Sequence, residues 1–347
     1  MVLKPENICL IVLCFLSIIL GFGFSKSLHI KSINVDSYNE NFWIIFVVGC
    51  IPTAISYALY GNTLNMSGEE MLAAKANYSI PIIGQLTYFL PASIIVACKN
   101  NNSTQIVIAT VFSMIAALLT ITKTAMLMTC LFLCIGLFHF KPAIINLKII
   151  KIIKKYVLVW APIVILYMFM YNNSIRQEAG SSSTMNYLER SDSRYIKVST
   201  NFTEGLFLNY LYYCSPWGNL EYNIEKNRER GFGKNSFAQF GKKLGIKIEP
   251  VEKIEPSFLN THSFITDFYL DFGYFGAIIA SFILGIIIYF FYMKFGCSDD
   301  ALLLSYYSLI GFATLMLFFS NHFVNGYLLN YLITFGGYFL VARMVTK

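Results

Sequence analysis

Charged side chains are what this sequence has least of: 13% of its 347 residues, against 56% hydrophobic. A soluble domain carries about 25% charged residues, so a water-soluble globular chain is excluded. The spacings CxxC and HExxH are missing, and no glycine-rich phosphate loop follows a strand. No metal, no cofactor and no nucleic-acid partner is therefore expected. Cysteines are present but unmatched. Cys9, Cys14, Cys50, Cys98, Cys130 and Cys134 lie in or at apolar runs, Cys297 adjoins one, and Cys214 stands alone in polar sequence. That distribution gives no disulfide framework. The apolar run behind Lys4 is followed by further spans, so it reads as a retained helix.

What is there is a series of long apolar stretches. Residues 8–24, 42–60, 80–98, 274–293, 301–319 and 326–342 can each cross a hydrocarbon core of about 30 Å. The stretch 105–140 has a single charge, Lys123. As one helix it would be about 54 Å long, so it must break into two spans, near Thr120–Thr124. With 156–172 the expectation is an all-α polytopic membrane protein of about nine transmembrane helices, within a range of about 9–11. Three regions follow: a bundle over 1–172, a large loop over 173–262, and a second bundle over 263–347.

Lys141, Lys148, Lys151, Lys154 and Lys155 lie between the fifth and sixth spans with no acid among them. The positive-inside rule makes that loop cytoplasmic. The 173–262 loop is then external, and the C-terminus, with Arg343 and Lys347, is cytoplasmic. Counting backward puts the N-terminus outside, against the charge of Lys4.

Five of the six arginines are in the external loop: Arg176, Arg190, Arg194, Arg228 and Arg230. A guanidinium is a planar, permanently charged fork suited to phosphate. The alternative is surface ion pairing with Glu178, Glu189, Asp192, Glu225 and Glu229. Residues 202–224 are aromatic and apolar, which suits a helix lying in the membrane interface. Tyr213 and Trp217 would sit at headgroup level or stack on sugar rings, with a turn at Ser215-Pro216 and Gly218. Residues 225–256 read as a solvated, partly irregular excursion.

The loop ends at His262, just before an apolar helix that Asn260 or Thr261 would cap. At helical spacing His262, Thr266, Tyr269, Gly273 and Gly276 share one face, and the glycines would let another helix approach. A neutral His262 near a helix N-terminus could act as general base. Asp267 and Asp271 could orient it or bind sugar hydroxyls; a solvated helix start is the plainer reading. Lys123 is either a phosphate contact or a lysine that snorkels to the surface. His322 is a weaker candidate.

The layout resembles the O-antigen polymerase and ligase superfamily. The resemblance covers about residues 80–345 and rests on three local patterns: LLTITKTAML at 118–127, Tyr212-Tyr213-Cys214-Ser215-Pro216 with Asn219, and His262 spaced before Gly273 and Gly276. Lys123 stands where that family has an arginine. The resemblance implies polymerisation of undecaprenyl-pyrophosphate-linked oligosaccharide repeats at the outer face of a bacterial inner membrane, without a nucleotide sugar. It implies pyrophosphate binding by Arg176, Arg190, Arg194, Arg228, Arg230 and Lys123, with His262, Arg190 and Arg194 catalytic. Membrane lipids, a chain-length regulator and a flippase are the expected partners. An O-antigen ligase is the first rival. A flippase is the second, although it would place charges inside several spans.

Overall fold

The computed structural model describes residues 3–28, 40–61, 70, 83–119, 123–146, 201–226, 229–253, 262–324, 328 and 330–337. Among these the regular elements are all helical. They are α1 (Pro5–Lys26), α2 (Phe42–Tyr60), α3 (Phe89–Lys99), α4 (Ser103–Leu119), α5 (Lys123–Phe140), α6 (Asn201–Lys226), α7 (Lys234–Lys243), α8 (Phe264–Phe291) and α9 (Ala301–Leu315). α4 ends at Leu119 and Lys123 is the first residue of α5; residues 120–122, where the break of 105–140 is expected, lie outside the described residues. Three helical stretches are long and apolar enough to cross a membrane: Pro5–Lys26, Phe42–Leu59 and Phe264–Gly296. Leu86–Lys99, Ser103–Leu119, Thr124–Phe140 and Ala301–Leu315 are shorter apolar helices. The 156–172 run lies outside the described residues.

The chain forms two compact units. One contains α1, the second half of α6, α7, α8 and most of α9. Its centre is the pair α1–α8. Asn7 meets Tyr274, and Phe22 meets Tyr289 further along, so the two helices run parallel. α1 buries Asn7, Leu10, Cys14, Ser17, Gly21 and Ser25, at spacings of three or four. α8 answers with Ala277, Ser281, Leu284 and Gly285. A Cβ on Gly21 would overlap the carbonyl oxygen of Phe282, and one on Gly285 the carbonyl oxygen of Ile18. Meanwhile Leu16, Ile19, Leu20, Ile279 and Ile283 face outward. Small and polar residues inside with large apolar ones outside is the arrangement of helices that pack in lipid, where burial of leucine gives no advantage. Apart from the helix lengths, this is the firmest sign that the protein is a membrane protein.

Parallel packing places both helix N-termini at one end. There the Lys4 ammonium pairs with Glu225 at 2.5 Å, and Asn7 donates to Glu221 at 2.6 Å. Glu225 holds the Lys4 ammonium above its ordinary range and is itself lowered by it. The positive charge near the N-terminus is thus answered by two glutamates of α6. An epitope tag before Lys4 and a cysteine at Glu229 should therefore react with impermeant reagents from the same side of the membrane. Reaction from opposite sides would contradict the parallel pair.

The other unit is built around α3, whose residues Phe89 to Cys98 are all buried. A helix that is apolar all round belongs inside protein. α2 closes on it through Gly49, next to Leu90, and α5 through Gly136, next to Cys98. At its end Lys99 pairs with Glu40 at 2.8 Å. Burial pushes the Glu40 carboxyl up, and Lys99 pulls it back. Asp300 caps α9 by accepting from the backbone N–H groups of Leu302 (3.0 Å) and Leu303 (2.9 Å).

Residues 202–224 depart from expectation. Ser215-Pro216 and Gly218 make no turn, since α6 runs through them. Its second half does not lie flat on a surface either. Ser215, Asn219, Leu220, Glu221 and Asn223 are buried, and Trp217 packs edge-on to Phe15 at 6.4 Å. Glu221 accepts from Asn7 of α1, and Asn223 donates to the Asn219 carbonyl of its own helix, which composition alone could not show.

Candidate functional site

The polar end of the first unit is organised by a break in α8. Gly273 has φ 71° and ψ −166°, a region open to glycine alone. The span proper therefore begins at Tyr274, and Phe264–Phe272 is a separate short helix. The single face expected for His262, Thr266, Tyr269, Gly273 and Gly276 is thereby corrected, because the helical phase is lost at Gly273. The role expected of the two glycines changes as well. A Cβ on Gly276 would collide with Phe272 of its own chain, and one on Gly273 would meet the Arg230 guanidinium at 3.4 Å. They shape the break; they do not receive a helix. Gly21 and Gly285 do that.

A helix that stops leaves carbonyls without donors. Here Gly231 N–H donates to the carbonyl of Leu270 at 2.9 Å, and Phe232 N–H to that of Asp271 at 3.0 Å. The Asp271 carboxylate completes the dock. One oxygen accepts from the backbone N–H and the side-chain amide of Asn235, both at 2.8 Å. The other accepts from Ser236 N–H at 2.8 Å and its hydroxyl at 2.6 Å. Four donors fill the acceptor capacity of a carboxylate and fix the first turn of α7. Gly231 is needed because any Cβ there would overlap that carboxylate. Asp267, also buried, pairs with Lys253 at 2.5 Å. Both aspartates thus hold the 230–253 segment in place.

This docking positions Arg230. Its guanidinium lies 4.6 Å over the Tyr269 ring and donates to the Tyr269 hydroxyl at 3.3 Å and to the Glu229 carbonyl at 3.3 Å. Among the described residues it has no carboxylate partner. A cation held on an aromatic face is restrained without being neutralised, so donor capacity remains for an anion. The Tyr269 ring is braced in turn by Tyr274, edge-on at 5.4 Å.

His262 is buried just ahead of the short helix. The N–H of Phe264 donates to the Leu317 carbonyl at 3.1 Å, tying this start to the turn after α9. The residue preceding the helix is Ser263, since Asn260 and Thr261 lie outside the described residues. Ser263 Oγ, Thr266 Oγ1 and the whole Asn321 amide are buried with no hydrogen-bond partner among the described residues. Desolvation lowers His322 to about 4, so its imidazole is neutral. Its ring centroid lies 5.3 Å from that of Phe312. No cluster of three or more His, Cys, Asp or Glu suited to a metal occurs among the described residues.

The remaining candidates fall differently. Arg176, Arg190, Arg194 and Arg228 lie outside the described residues. Lys123 and Tyr213 are placed in α5 and α6 by their backbone only. Trp217 is committed to packing. Glu221, Asn7 and Tyr274 were missed in the sequence. They form a buried chain in which the Tyr274 hydroxyl donates to Asn7 and Asn7 to Glu221, and one Glu221 oxygen has no partner among the described residues. Their signal was a polar residue, Asn7, at an inward position of an apolar helix. Comparison with family models, with curated proteins and with solved structures finds no match for this chain.

Proposed function

We propose that the protein polymerises polyprenyl-pyrophosphate-linked oligosaccharide repeats into surface polysaccharide at the external face of a bacterial inner membrane. The observation that carries this reading is Arg230: a guanidinium fixed at the polar end of a membrane helix pair, with no carboxylate partner among the described residues. An anion that sits at the mouth of a bundle is what such a group suits, and a lipid-linked pyrophosphate is such an anion. The carbohydrate half of the reading rests on the family resemblance.

In this mechanism the hydroxyl oxygen of the acceptor repeat attacks the anomeric carbon of the donor chain. The bond from that carbon to the pyrophosphate oxygen breaks, and the hydroxyl proton passes to His262. Charge grows on the departing pyrophosphate. Fixed guanidiniums stabilise it better than mobile water does. Arg230 takes part in that, with Arg176, Arg190, Arg194, Arg228 and Lys123 assigned the same task. The products are a lengthened chain on the acceptor lipid and free polyprenyl pyrophosphate.

The test is the polysaccharide ladder of a deletion strain carrying variants. His262→Ala and Arg194→Ala should abolish long chains while single capped repeats persist. Arg230→Ala should cut long chains about tenfold or more, as expected for a lost charge-assisted contact, with Arg230→Lys intermediate. Normal ladders in all three alanine variants would remove the assigned roles. A deletion strain with no repeat on the core would identify a ligase, and purified protein that elongates lipid-linked repeats in detergent would exclude pure transport.

A further inference from the structure

The segment Gly231–Ile248 carries four lysines and no acidic residue, and it exposes its apolar side chains. On a helix bathed in water, Phe237 and Phe240 would turn inward and Asn235 and Ser236 outward. In α7 the reverse holds. Asn235 and Ser236 are buried on the Asp271 carboxylate, while Phe237 and Phe240 are exposed. Phe232, at 84% exposure, precedes the helix, and Leu244 and Ile246 follow it, also exposed. The turn that carries them is held against α7 by Ile248, which fills the space over Gly241. The side chains therefore face outward from a constrained element.

This apolar face joins another. A Cβ on Gly233 would meet Phe237 at 3.1 Å and Phe272 at 3.8 Å, so those two rings lie side by side. Phe275, 85% exposed, begins the outward side of the α8 span, and Phe272, also exposed, ends the short helix just before it. The surface of α7 thus continues the lipid-facing surface of a membrane helix. Lys234 and Lys242 flank it, both exposed.

We propose that α7 is an interfacial helix that sinks Phe237 and Phe240 into the outer edge of the bilayer and holds anionic phospholipid headgroups with the lysines of 234–247. An amphipathic helix with aromatic residues on one face and lysine at its borders binds an anionic membrane surface in this way. It differs from the solvated excursion expected over 225–256. It needs a bilayer but not the proposed reaction, so the two can fail separately.

The test uses the full-length protein in nanodiscs, with Phe237→benzoylphenylalanine or Phe240→benzoylphenylalanine, and Glu249→benzoylphenylalanine as an exposed polar control. After irradiation in phosphatidylglycerol–phosphatidylcholine discs, phospholipid-mass adducts at 237 and 240 should exceed those at 249 about fivefold. Glutamine at Lys234, Lys242, Lys243 and Lys247 should at least halve the 237 yield in these discs, and leave it unchanged in phosphatidylcholine alone. Equal yields at 237 and 249, or crosslinks into a second copy of the chain, would overturn the membrane assignment. A 237 yield indifferent to the lysines in the mixed discs would overturn the anionic headgroup.

Discussion

Gly285→Leu is expected to leave little folded protein in the membrane, while Gly23→Leu leaves the protein intact. Both are leucines for glycines in apolar helices, so helix propensity and hydropathy predict similar gains for each. Sterics decide otherwise. A Cβ at Gly285 overlaps the backbone carbonyl of Ile18, whereas one at Gly23 meets nothing within 4 Å. Overpacking by flexible side chains costs about 1–3 kcal/mol. Here the obstacle is main chain, which cannot swing aside, so the two helices must separate along their length. Separation would also break the seam at Gly21, where the Phe282 carbonyl is in the same position. We expect a loss of at least about 3 kcal/mol, seen as a collapsed monodisperse peak and a lowered thermal midpoint in detergent. A Gly285→Leu protein that elutes and melts like the parent would disprove the close parallel pair.

Asp271→Ala should release the segment from Gly231 to Lys243 without disturbing α1 and α8. The variant removes four hydrogen bonds at once. Hydrogen bonds to charged groups contribute about 1.5–3 kcal/mol each, but the freed donors of Asn235 and Ser236 regain water once α7 detaches. A net loss near 3 kcal/mol is the expected balance, confined to this dock. Hydrogen exchange of 231–243 should rise sharply while that of 5–26 stays as it was. Long-chain polysaccharide should fall as well, because the backbone that leads Arg230 onto Tyr269 is pinned by the same dock. Asp267→Ala makes the contrast. Its partner Lys253 is about one-third exposed and can rehydrate, so the loss there should be about 1 kcal/mol. Unchanged exchange over 231–243 in Asp271→Ala would mean that the carboxylate does not hold α7.

The helices were the legible part of this molecule. Alternation of apolar runs with single charges located α1, α2 and the division between α4 and α5. The run read as 274–293 even begins where the backbone resumes its helix after Gly273. The three-or-four spacing of Asn7, Leu10, Cys14, Ser17, Gly21 and Ser25 was also present, though small polar residues on an apolar helix are easily passed over. What the sequence hid depends on partners far along the chain. Asp271 and Ser236 are 35 positions apart, and nothing local marks one as the cap of a helix whose first turn holds the other. Gly273 is a glycine because of its own backbone, a φ of 71° that breaks the helix, and no local pattern announced that break. Within α6, Pro216 and Gly218 advertised a turn, but the helix runs through them, and its Glu221 is held by Asn7, more than two hundred positions away.

The shared direction of α1 and α8 imposes an arithmetic on everything between them. A chain that enters the bilayer twice from one face has to come back in the meantime, which predicts an odd number of crossings between α1 and α8. Removing one traversing segment would turn the whole second half of the protein upside down. Removing two neighbours would not.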